Sequence, residues 1–389
     1  MEMARKCARR FNNIYGVANT LTETDLYVGY PEKQNNFNSI QDAVNNAASI
    51  NPSNEKARVT IHIAPGTYRQ QIIIQTPYIT LINDEPKKGD VLITWYYGIG
   101  YKYYSAGRGG LYDQNLAQKK ESKNPAKYSW GATFILFDKA MYFKAENIVF
   151  ENSFNRYITK EEIDDGVELI GEGSGSNIKV ERTPNLDVKS KEATERAAAM
   201  ALESTYSEFL NCRIYSGQDT LYVKESPLYF KNCLIEGGTD YIFGSSNAVF
   251  DSCELRFKGY TTNPSSDYIT AAKAGKGAYT GLLFYNCKIT KNKGINIKAG
   301  YLGRPWADTA KVTYINTVLQ DSDTIVDEGW HSMGNVQPEQ VEGFKEYATK
   351  LENGAAVNTS KRKGHILSKS DAEKIDIKDY MNNWTPSFM

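Results

Sequence analysis

The chain has 389 residues, of which 41% are hydrophobic and 24% are charged, as is typical of a soluble globular protein with a buried core. Its 46 Lys and Arg residues balance its 46 Asp and Glu residues, so the net charge gives no indication of a polyanionic partner such as nucleic acid. The five Cys residues, an odd number in a long chain, argue against a disulfide scaffold, and the three His residues are scattered. We therefore expect no metal site, and no apolar run is long enough to suggest a membrane span.

The chain starts with a basic segment, MEMARKCARRFNN, which lacks the apolar stretch of a signal peptide. Either the native protein is cytoplasmic or a leader has been removed, and the sequence leaves both open. Further on, residues 96–113 read YYGIGYKYYSAGRGGLYD and predict an excursion rich in Tyr. Tyr rings on a loop suit stacking on sugars, but packing of the loop on the side of the fold explains them equally well.

Short β-type phrases that end in a polar residue and a Cys recur in the middle of the chain. They are FLNCRIY at Cys212, YFKNCLI at Cys233, VFDSCEL at Cys253 and LFYNCKI at Cys287, with spacings of 21, 20 and 34 residues. A period near 20 with β-branched and aromatic residues predicts that each repeat is one coil of a solenoid, and a parallel β-helix is the natural candidate. We expect the Cys side chains to form an inward ladder in the core.

Two Asp residues share one offset from this ladder. Asp219 follows Cys212 by seven residues, and Asp240 follows Cys233 by seven. Equal offsets place both carboxylates at equivalent positions of adjacent coils, roughly 5 Å apart by strand spacing. Like charges at that distance resist joint ionisation, so one pKa should rise while the other stays low, which suits a pair of catalytic carboxylates. A solvated ladder of Asp residues in turns is the alternative.

Three motifs resemble, in order and spacing, the signature blocks of pectin methylesterases. They are GQDTLY at 217–222, GTDYIFG at 238–244 and YLGRPW at 301–306, against family forms QDTL, DFIFG and LGRPW. Weaker similarity extends over roughly residues 20–386, including FNSIQDAVNNA at 37–47. The resemblance implies an all-β, right-handed parallel β-helix with an N-terminal capping helix and with C-terminal helical segments packed on its flank.

The resemblance also implies a reaction, hydrolysis of the C6 methyl ester of galacturonate units in pectin, which yields methanol and pectate without a cofactor. Carried over by position, Asp240 is the nucleophile, Asp219 the general acid and later the base, and Gln218 an oxyanion donor. Arg304 orients Asp240. Substrate contacts are expected from three aromatic residues, Trp306, Tyr241 and Tyr222. A GxSxG elbow is absent from the sequence, so a Ser-based hydrolase has no support.

One departure concerns the family's QAVAL block, which supplies a second Gln to the oxyanion hole. The corresponding stretch in this chain is ERAAAMALES at 195–204, without a Gln. Aligning MAL puts Ala198 at the Gln position, whereas an ungapped alignment from Gln218 puts Arg196 there. Loss of one oxyanion donor costs on the order of a hundredfold in rate. Either another group replaces the Gln, or the enzyme is slow or prefers a different ester.

A second departure is a polar, Gly- and Ser-bearing stretch over residues 155–197, longer than the family pattern, which predicts a long excursion loop. It could border the substrate groove or be a decoration without a role. Residues 338–389 carry helical spacing and should form a tail packed on the solenoid. We thus divide the chain into an N-terminal extension at 1–20 and a single β-helix domain at 21–389.

Two other functions stay open beside the esterase. One is a different β-helix polysaccharide enzyme, a glycosidase or a lyase, and the other is a weakly active sugar-binding relative, suggested by the missing Gln. The expected partner is methyl-esterified homogalacturonan or its oligomers, with no nucleic acid and no membrane, and the expected state is a monomer. The resemblance implies an extracellular enzyme, whereas a native start at Met1 would imply a cytoplasmic one.

Overall fold

The computed structural model describes residues 24–105, 112–117, 129–166, 168–169, 196–259, 264–273, 280–295 and 297–389. Three parallel sheets of 12, 9 and 7 strands, called sheets A, B and C, make up its body. In chain order each full coil takes one strand from sheet C, then one from A, then one from B. This winding is the predicted right-handed parallel β-helix, which is confirmed.

Each sheet is a row of strands in which spatial neighbours are hydrogen-bonded to each other. From one edge to the other, sheet A contains β2 Asn36–Phe37, β1 Asp25–Val28, β3 Val59–Ile63, β6 Ile79–Ile82, β10 Lys144–Glu146, β14 Ser207–Leu210, β17 Leu228–Lys231, β20 Ala248–Asp251, β23 Leu282–Tyr285, β26 Lys311–Ile315, β28 Gly343–Tyr347 and β30 His365–Ile366. Sheet B contains β29 Lys350–Leu351, β27 Val318–Leu319, β24 Lys288–Lys291, β21 Glu254–Phe257, β18 Leu234–Gly237, β15 Arg213–Tyr215, β11 Ile148–Asn152, β7 Val91–Trp95 and β4 Gly66–Arg69. Sheet C contains β25 Ala299–Pro305, β22 Ser266–Ala272, β19 Ile242–Gly244, β16 Leu221–Val223, β13 Met200–Leu202, β9 Phe134–Leu136 and β5 Ile72–Ile74. A separate antiparallel pair joins β8 Tyr101–Lys102 to β12 Glu168–Leu169.

Helical segments are short apart from the first. The α-helices are α1 Ile40–Ile50, α2 Gln114–Ala117, α3 Lys160–Asp165, α4 Lys369–Ala372 and α5 Ile377–Tyr380, and the 3-10 turns are Glu55–Ala57, Ser129–Gly131 and Pro338–Gln340. Helix α1 starts at Ser39, whose hydroxyl accepts a hydrogen bond from the backbone N–H of Asp42 and so caps the helix. Its buried face, which includes Ile40 and Val44, closes the first coil of the core. This is the expected capping helix.

The interior is a set of ladders that repeat from coil to coil. In sheet A, Phe209, Phe230, Phe250, Phe284 and Tyr314 stack face to face, with ring centroids 4.6–4.8 Å apart. At the turn from sheet A to sheet B, Cys212, Cys233, Cys253 and Cys287 are all buried and unbridged. The residue before each Cys, such as Asn211, has a positive φ, a conformation that Asn tolerates better than most residues. The prediction of core Cys is confirmed.

The Tyr-rich segment packs inward. Tyr96, Tyr97, Tyr101 and Tyr103 are buried together with Trp95 and Phe154 in one aromatic cluster on the flank of sheet B. Because these rings are covered by protein, the packing alternative holds for this part of 96–113, whereas 106–111 lies outside the described residues.

A buried carboxyl group, Asp165 at the end of α3, secures this segment. It accepts hydrogen bonds from the Tyr96 hydroxyl at 2.9 Å and from the backbone N–H and hydroxyl of Ser105 at 2.6 Å each. Burial raises the pKa of Asp165, and the bonds from Ser105 and Tyr96 oppose that rise. Helix α3 belongs to the predicted excursion loop of 155–197, most of which lies outside the described residues.

The C-terminal residues lie against the outer face of sheet A. Residues of α4 and α5, among them Ala372 and Tyr380, pack on Tyr229, Val249 and Leu283. The helical segments on the flank are therefore present as expected, although β28, β29 and β30 continue the coil within 338–389. The division at residue 20 stays a prediction, since 1–23 lie outside the described residues. In the described part of the chain, we find no helix with the length and apolarity needed to cross a bilayer.

Candidate active site

Asp219 and Asp240 occupy equivalent turns of adjacent coils. Each lies two residues before a strand of sheet C, and the register pairs Leu221 of β16 with Ile242 of β19. Both Asp residues have left-handed backbones, with φ of 60° and 52°, which Asp adopts more readily than most non-Gly residues. The backbone N–H of Asp219 donates to the carbonyl of Thr239 at 3.1 Å, so the turn carrying one Asp is bonded to the turn carrying the other. The carboxylates predicted to be neighbours are thus placed on successive coils.

Arg304 holds Asp240 by a two-point contact. Its Nε donates to Oδ1 of Asp240 at 2.7 Å and its Nη2 to Oδ2 at 2.6 Å. Arg304 lies on β25 of sheet C, and one strand, β22, separates β25 from β19. The β22 residue that pairs with Arg304 is the small Ala271. The guanidinium also lies over the ring of Tyr268, 4.2 Å from its centroid. The Tyr268 ring holds the guanidinium in place, and the two hydrogen bonds from Arg304 then fix the orientation of the Asp240 carboxylate.

The two carboxyl groups differ in their electrostatic surroundings. Burial and the charge of Asp240 raise the pKa of Asp219 to about 8, against the opposing effects of Arg196, Arg304 and a hydrogen bond with Gln218. Burial raises the pKa of Asp240 as well, although the hydrogen bonds and charge of Arg304 oppose that rise, so the expectation that one pKa of the pair stays low is not met. Asp219 is only 7% exposed and Asp240 5%. At neutral pH we therefore assign the proton of the pair to Asp219 and the negative charge to Asp240.

These groups line one cavity of about 210 Å³. Its lining consists of Trp130, Arg196, Gln218, Asp219, Asp240, Phe243, Ala271, Arg304, Trp306 and Met333. Aromatic rings form its wall, with Trp130 5.3 Å from Phe243 and 6.4 Å from Trp306 between ring centroids. Trp306 is 37% exposed, and the Lys273 ammonium lies 4.5 Å from its ring centroid. An open aromatic wall next to buried charges is suited to a sugar ring with a polar substituent.

Two of the three aromatic residues predicted to contact the substrate, Tyr241 and Tyr222, do not line this cavity. Tyr241 has 0% exposure and belongs to the main core, because it follows the outward-turning Asp240 and points the opposite way. Tyr222 lies beneath the cavity wall, with its ring 5.3 Å from Trp130 and 5.0 Å from Phe243. It supports the wall without lining the cavity. Trp306 does line it, as do the predicted Gln218, Asp219, Asp240 and Arg304.

Sequence reasoning missed Trp130, Phe243 and Met333. Phe243 lies inside the motif GTDYIFG and could have been found from strand alternation, since it is the outward neighbour of the inward Ile242. Trp130 comes from a turn before β9, and Met333 from a turn after the last strand of sheet C. No periodic pattern marks either turn.

The structure decides between the two alignments of the missing Gln. Arg196 forms a parallel bridge with Gln218, and the backbone N–H of Ala197 donates to the Gln218 carbonyl at 3.1 Å. Ala199 and Met200 then both donate to the carbonyl of Thr220, so one extra residue bulges out before β13. Arg196 therefore occupies the position beside Gln218.

Ala198, the residue indicated by the MAL alignment, has 0% exposure and packs in an apolar cluster with Ala132, Ile135 and Ala201. It does not line the cavity. A longer side chain at Ala198 would meet packed atoms, so this residue cannot be the substitute for the missing Gln.

A larger cavity of about 400 Å³ lies beside the C-terminal segment. It is lined by stacked rings of Tyr78, Tyr142 and Tyr206 and by charged groups that pair with each other, such as Arg58 with Glu55 at 2.5 Å. Its two carboxylates, Glu55 and Glu208, both pair with Lys144, whereas the smaller cavity brings together Asp219 and Asp240 from adjacent coils beside Gln218 and the exposed Trp306. Within the described ranges, no three His, Cys, Asp or Glu residues converge as metal ligands would.

Comparisons with known proteins agree with this geometry. A family model described as pectinesterase matches residues 183–383, more than half of the chain. Pectinesterase 31 of Arabidopsis thaliana is 29% identical over 315 residues, which span 79% of this chain and 77% of that protein. Pectin methylesterase from carrot has a TM-score of 0.64 at 19% identity, covering 92% of this chain and 93% of that chain. A pectin methylesterase in complex with hexasaccharide VII has a TM-score of 0.62 at 19% identity, covering 93% and 98%.

The fold, the carboxylate pair and these matches together define a carboxylic ester hydrolase built on a parallel β-helix. The extent of the family match makes the assignment specific. The chain belongs to the pectinesterase family.

Proposed function

We propose that this protein hydrolyses the C6 methyl ester of galacturonate units in pectin and releases methanol. The observation that carries the proposal is the asymmetry of the carboxylate pair. Asp240 accepts two hydrogen bonds from Arg304, whereas the raised pKa of Asp219 lets it hold a proton at neutral pH. An ester hydrolase that uses a carboxylate as nucleophile also needs a proton donor and an oxyanion donor within reach of the same ester group. Asp240, Asp219 and Gln218 line the same cavity and supply all three.

The first half of the reaction forms an acyl-enzyme. An ionised oxygen of Asp240 attacks the ester carbonyl carbon, and the electron pair of the C=O bond moves onto its oxygen, which Gln218 stabilises. Collapse of this tetrahedral species breaks the bond to the methoxy oxygen, and Asp219 donates its proton to that oxygen. Methanol leaves, and the acyl group stays joined to Asp240 as a mixed anhydride.

The second half returns the enzyme to its starting state. Asp219, now a carboxylate, takes a proton from water while the water oxygen attacks the acyl carbon. The bond to Asp240 breaks with its electron pair going to Asp240, and the product leaves as a carboxylic acid that then ionises in water to galacturonate. One ester and one water give one carboxylic acid and one methanol, and Asp219 ends with its proton restored. The same residue serves as acid and then as base because its pKa of about 8 lies near neutral pH.

Binding of the polymer follows from the wall of the cavity. Trp306 and Trp130 pack edge to face as one aromatic wall of the cavity that holds the carboxylate pair, which suits the apolar faces of sugar rings next to the reacting ester. The complex of a structural relative with a hexasaccharide supports an extended sugar chain as the ligand. We propose methyl-esterified homogalacturonan or its oligomers as the substrate, met outside the cell by a monomeric enzyme.

The test measures three products in parallel from methylated pectin. The esterase produces methanol, a lyase would produce unsaturated ends that absorb in the ultraviolet, and a glycosidase would produce new reducing ends. We expect methanol alone, from the polymer and from short methylated oligomers. Unsaturated ends or reducing ends without methanol would replace the esterase by one of the other two activities, and sugar binding without any product would indicate a non-catalytic relative.

A further inference from the structure

Arg196 is a cation inside the candidate active site that the reaction described above does not use. It lines the cavity with Gln218, Asp219 and Asp240. Its bridge to Gln218 puts the two residues at the same position of adjacent coils, where side chains leave the backbone in parallel about 4.8 Å apart. Arg196 is thus on the Gln218 side of the carboxylate pair, whereas Arg304 reaches Asp240 from the opposite direction, along sheet C.

The backbone of Arg196 is fixed from behind. Its carbonyl accepts a hydrogen bond from the N–H of Ile99 at 2.8 Å, and the next residue, Ala197, is buried in the aromatic cluster of the Tyr-rich segment. Asn152 joins the two segments, because its Nδ2 donates both to the Tyr97 carbonyl at 2.8 Å and to the Ala198 carbonyl at 2.9 Å. This anchoring positions the start of the Arg196 side chain before any substrate arrives, which is what an electrostatic contribution to catalysis requires.

The two cations of the site have different tasks. Arg304 directs Nε and Nη2 at Asp240 and so acts on the nucleophile. Arg196 acts on the other carboxyl, since its charge is among those that oppose the rise in the pKa of Asp219. The Arg196 guanidinium is near both Gln218 and Asp219, and so near the places that the carbonyl oxygen and the leaving oxygen of a bound ester would take. A hydrogen bond from a guanidinium to an oxyanion is charge-assisted and therefore stronger than one from a neutral donor.

We propose that Arg196 and Gln218 together form the oxyanion hole, with the Arg196 guanidinium as its charged donor. Arg196 then supplies the second oxyanion donor, in place of the Gln carboxamide that this chain lacks. Its interaction strengthens as negative charge develops on the carbonyl oxygen, so it stabilises the transition state more than the bound ester. The proposal rests on the pectin esterase activity proposed above.

The experiment compares three substitutions at Arg196 by kcat and KM for methanol release from highly methylated pectin. Arg196→Ala should lower kcat by about a hundredfold with little change in KM, as for loss of one oxyanion donor. Arg196→Gln, which keeps a donor without the charge, should retain at least about a tenth of the wild-type kcat. Arg196→Lys should fall between the two, because the ammonium keeps the charge but lacks the planar array of donors.

Arg213→Gln is the matched control, since Arg213 lies on sheet B and pairs with Asp90. It should leave both constants unchanged, and thermal melting of every variant excludes a folding defect.

Each alternative outcome is diagnostic. Recovery by Lys but not by Gln would show that Arg196 acts only through its charge on Asp219, and would overturn the proposal. A loss confined to KM, and larger on partly de-esterified pectin than on fully methylated pectin, would show that it binds a substrate carboxylate instead. Wild-type kinetics in Arg196→Ala would remove this proposal alone, whereas absence of methanol from the wild-type enzyme would remove the proposed function itself.

Discussion

Replacing Asp219 by Asn should make the folded protein more stable, by an amount that depends on pH. In the folded state burial and Asp240 raise the pKa of Asp219 from 3.8 to about 8. Between these two values the folded protein holds a proton that the unfolded chain has released. The free energy of unfolding of the wild type must therefore decrease as pH rises through this window, whereas Asn has no proton to lose.

The magnitude follows from the width of the window. Each pH unit within it changes the free energy of unfolding by about 1.4 kcal/mol, so the advantage of Asp219→Asn over the wild type should grow by about 2–3 kcal/mol between pH 5 and pH 7. Above about pH 8 the advantage should level off, because Asp219 is then ionised in both states. The effect is large for a single isosteric change, since total stabilities are of the order of 5–15 kcal/mol.

The assay is urea unfolding of both proteins at pH 5, 6, 7 and 8, with the free energy extrapolated to water. Asp138→Asn, which removes an exposed carboxylate, controls for the chemical change itself. If the wild-type and Asp219→Asn values run parallel over the whole range, then Asp219 does not carry the proton of the pair, and its role as general acid loses its physical basis.

Three further substitutions test the rest of the site. Arg304→Lys keeps the charge but loses the fork on Asp240, so kcat for methanol release should fall about tenfold or more; an unchanged kcat would reduce Arg304 to a simple charge partner. Trp130→Ala should raise KM for the polymer several-fold with a smaller effect on kcat, since it removes the wall facing Trp306; an unaltered KM would place the sugar chain elsewhere. Ala198→Gln should destabilise the protein by about 1–3 kcal/mol in urea unfolding without raising kcat, because Ala198 is packed on all sides; a faster and equally stable enzyme would contradict the register that joins Arg196 to Gln218.

The sequence alone was enough to predict the coils of the β-helix and the carboxylate pair on two of them. A repeat of 21 residues between Asp219 and Asp240 predicts neighbouring coils, and the structure pairs the strands that follow them in that register. The same period predicts the Cys ladder at the turn from sheet A to sheet B. Such predictions succeed because a solenoid converts sequence distance directly into spatial distance.

The sequence was insufficient where contacts join segments that the period does not relate. The buried Tyr96 hydroxyl donates a hydrogen bond to Asp165, and nothing in residues 96–113 indicates a partner some seventy positions away. Trp130 reaches the cavity from a turn, where no alternation fixes the direction of a side chain. The place of Tyr241 in a motif suggests a substrate contact, yet the pleat turns its ring into the core.

The competing positions of the missing Gln illustrate a more general limit. Counting back from Gln218 leads to Arg196, whereas aligning MAL leads to Ala198, two residues further on. The structure pairs Arg196 with Gln218 and carries one bulged residue between Arg196 and Met200. A bulge has no sequence signature in a run of Ala residues, so only the three-dimensional structure could distinguish a cation in the cavity from a methyl group in the wall.

The central claim is that Asp240 attacks the ester and Asp219 supplies the proton. The most direct measurement is the rate of methanol release from methylated pectin by Asp240→Ala and Asp219→Ala, each verified as folded by circular dichroism. The mechanism predicts that both lose activity by at least about a thousandfold, as expected when a nucleophile or a general acid is removed. Release near the wild-type rate by either variant would contradict it.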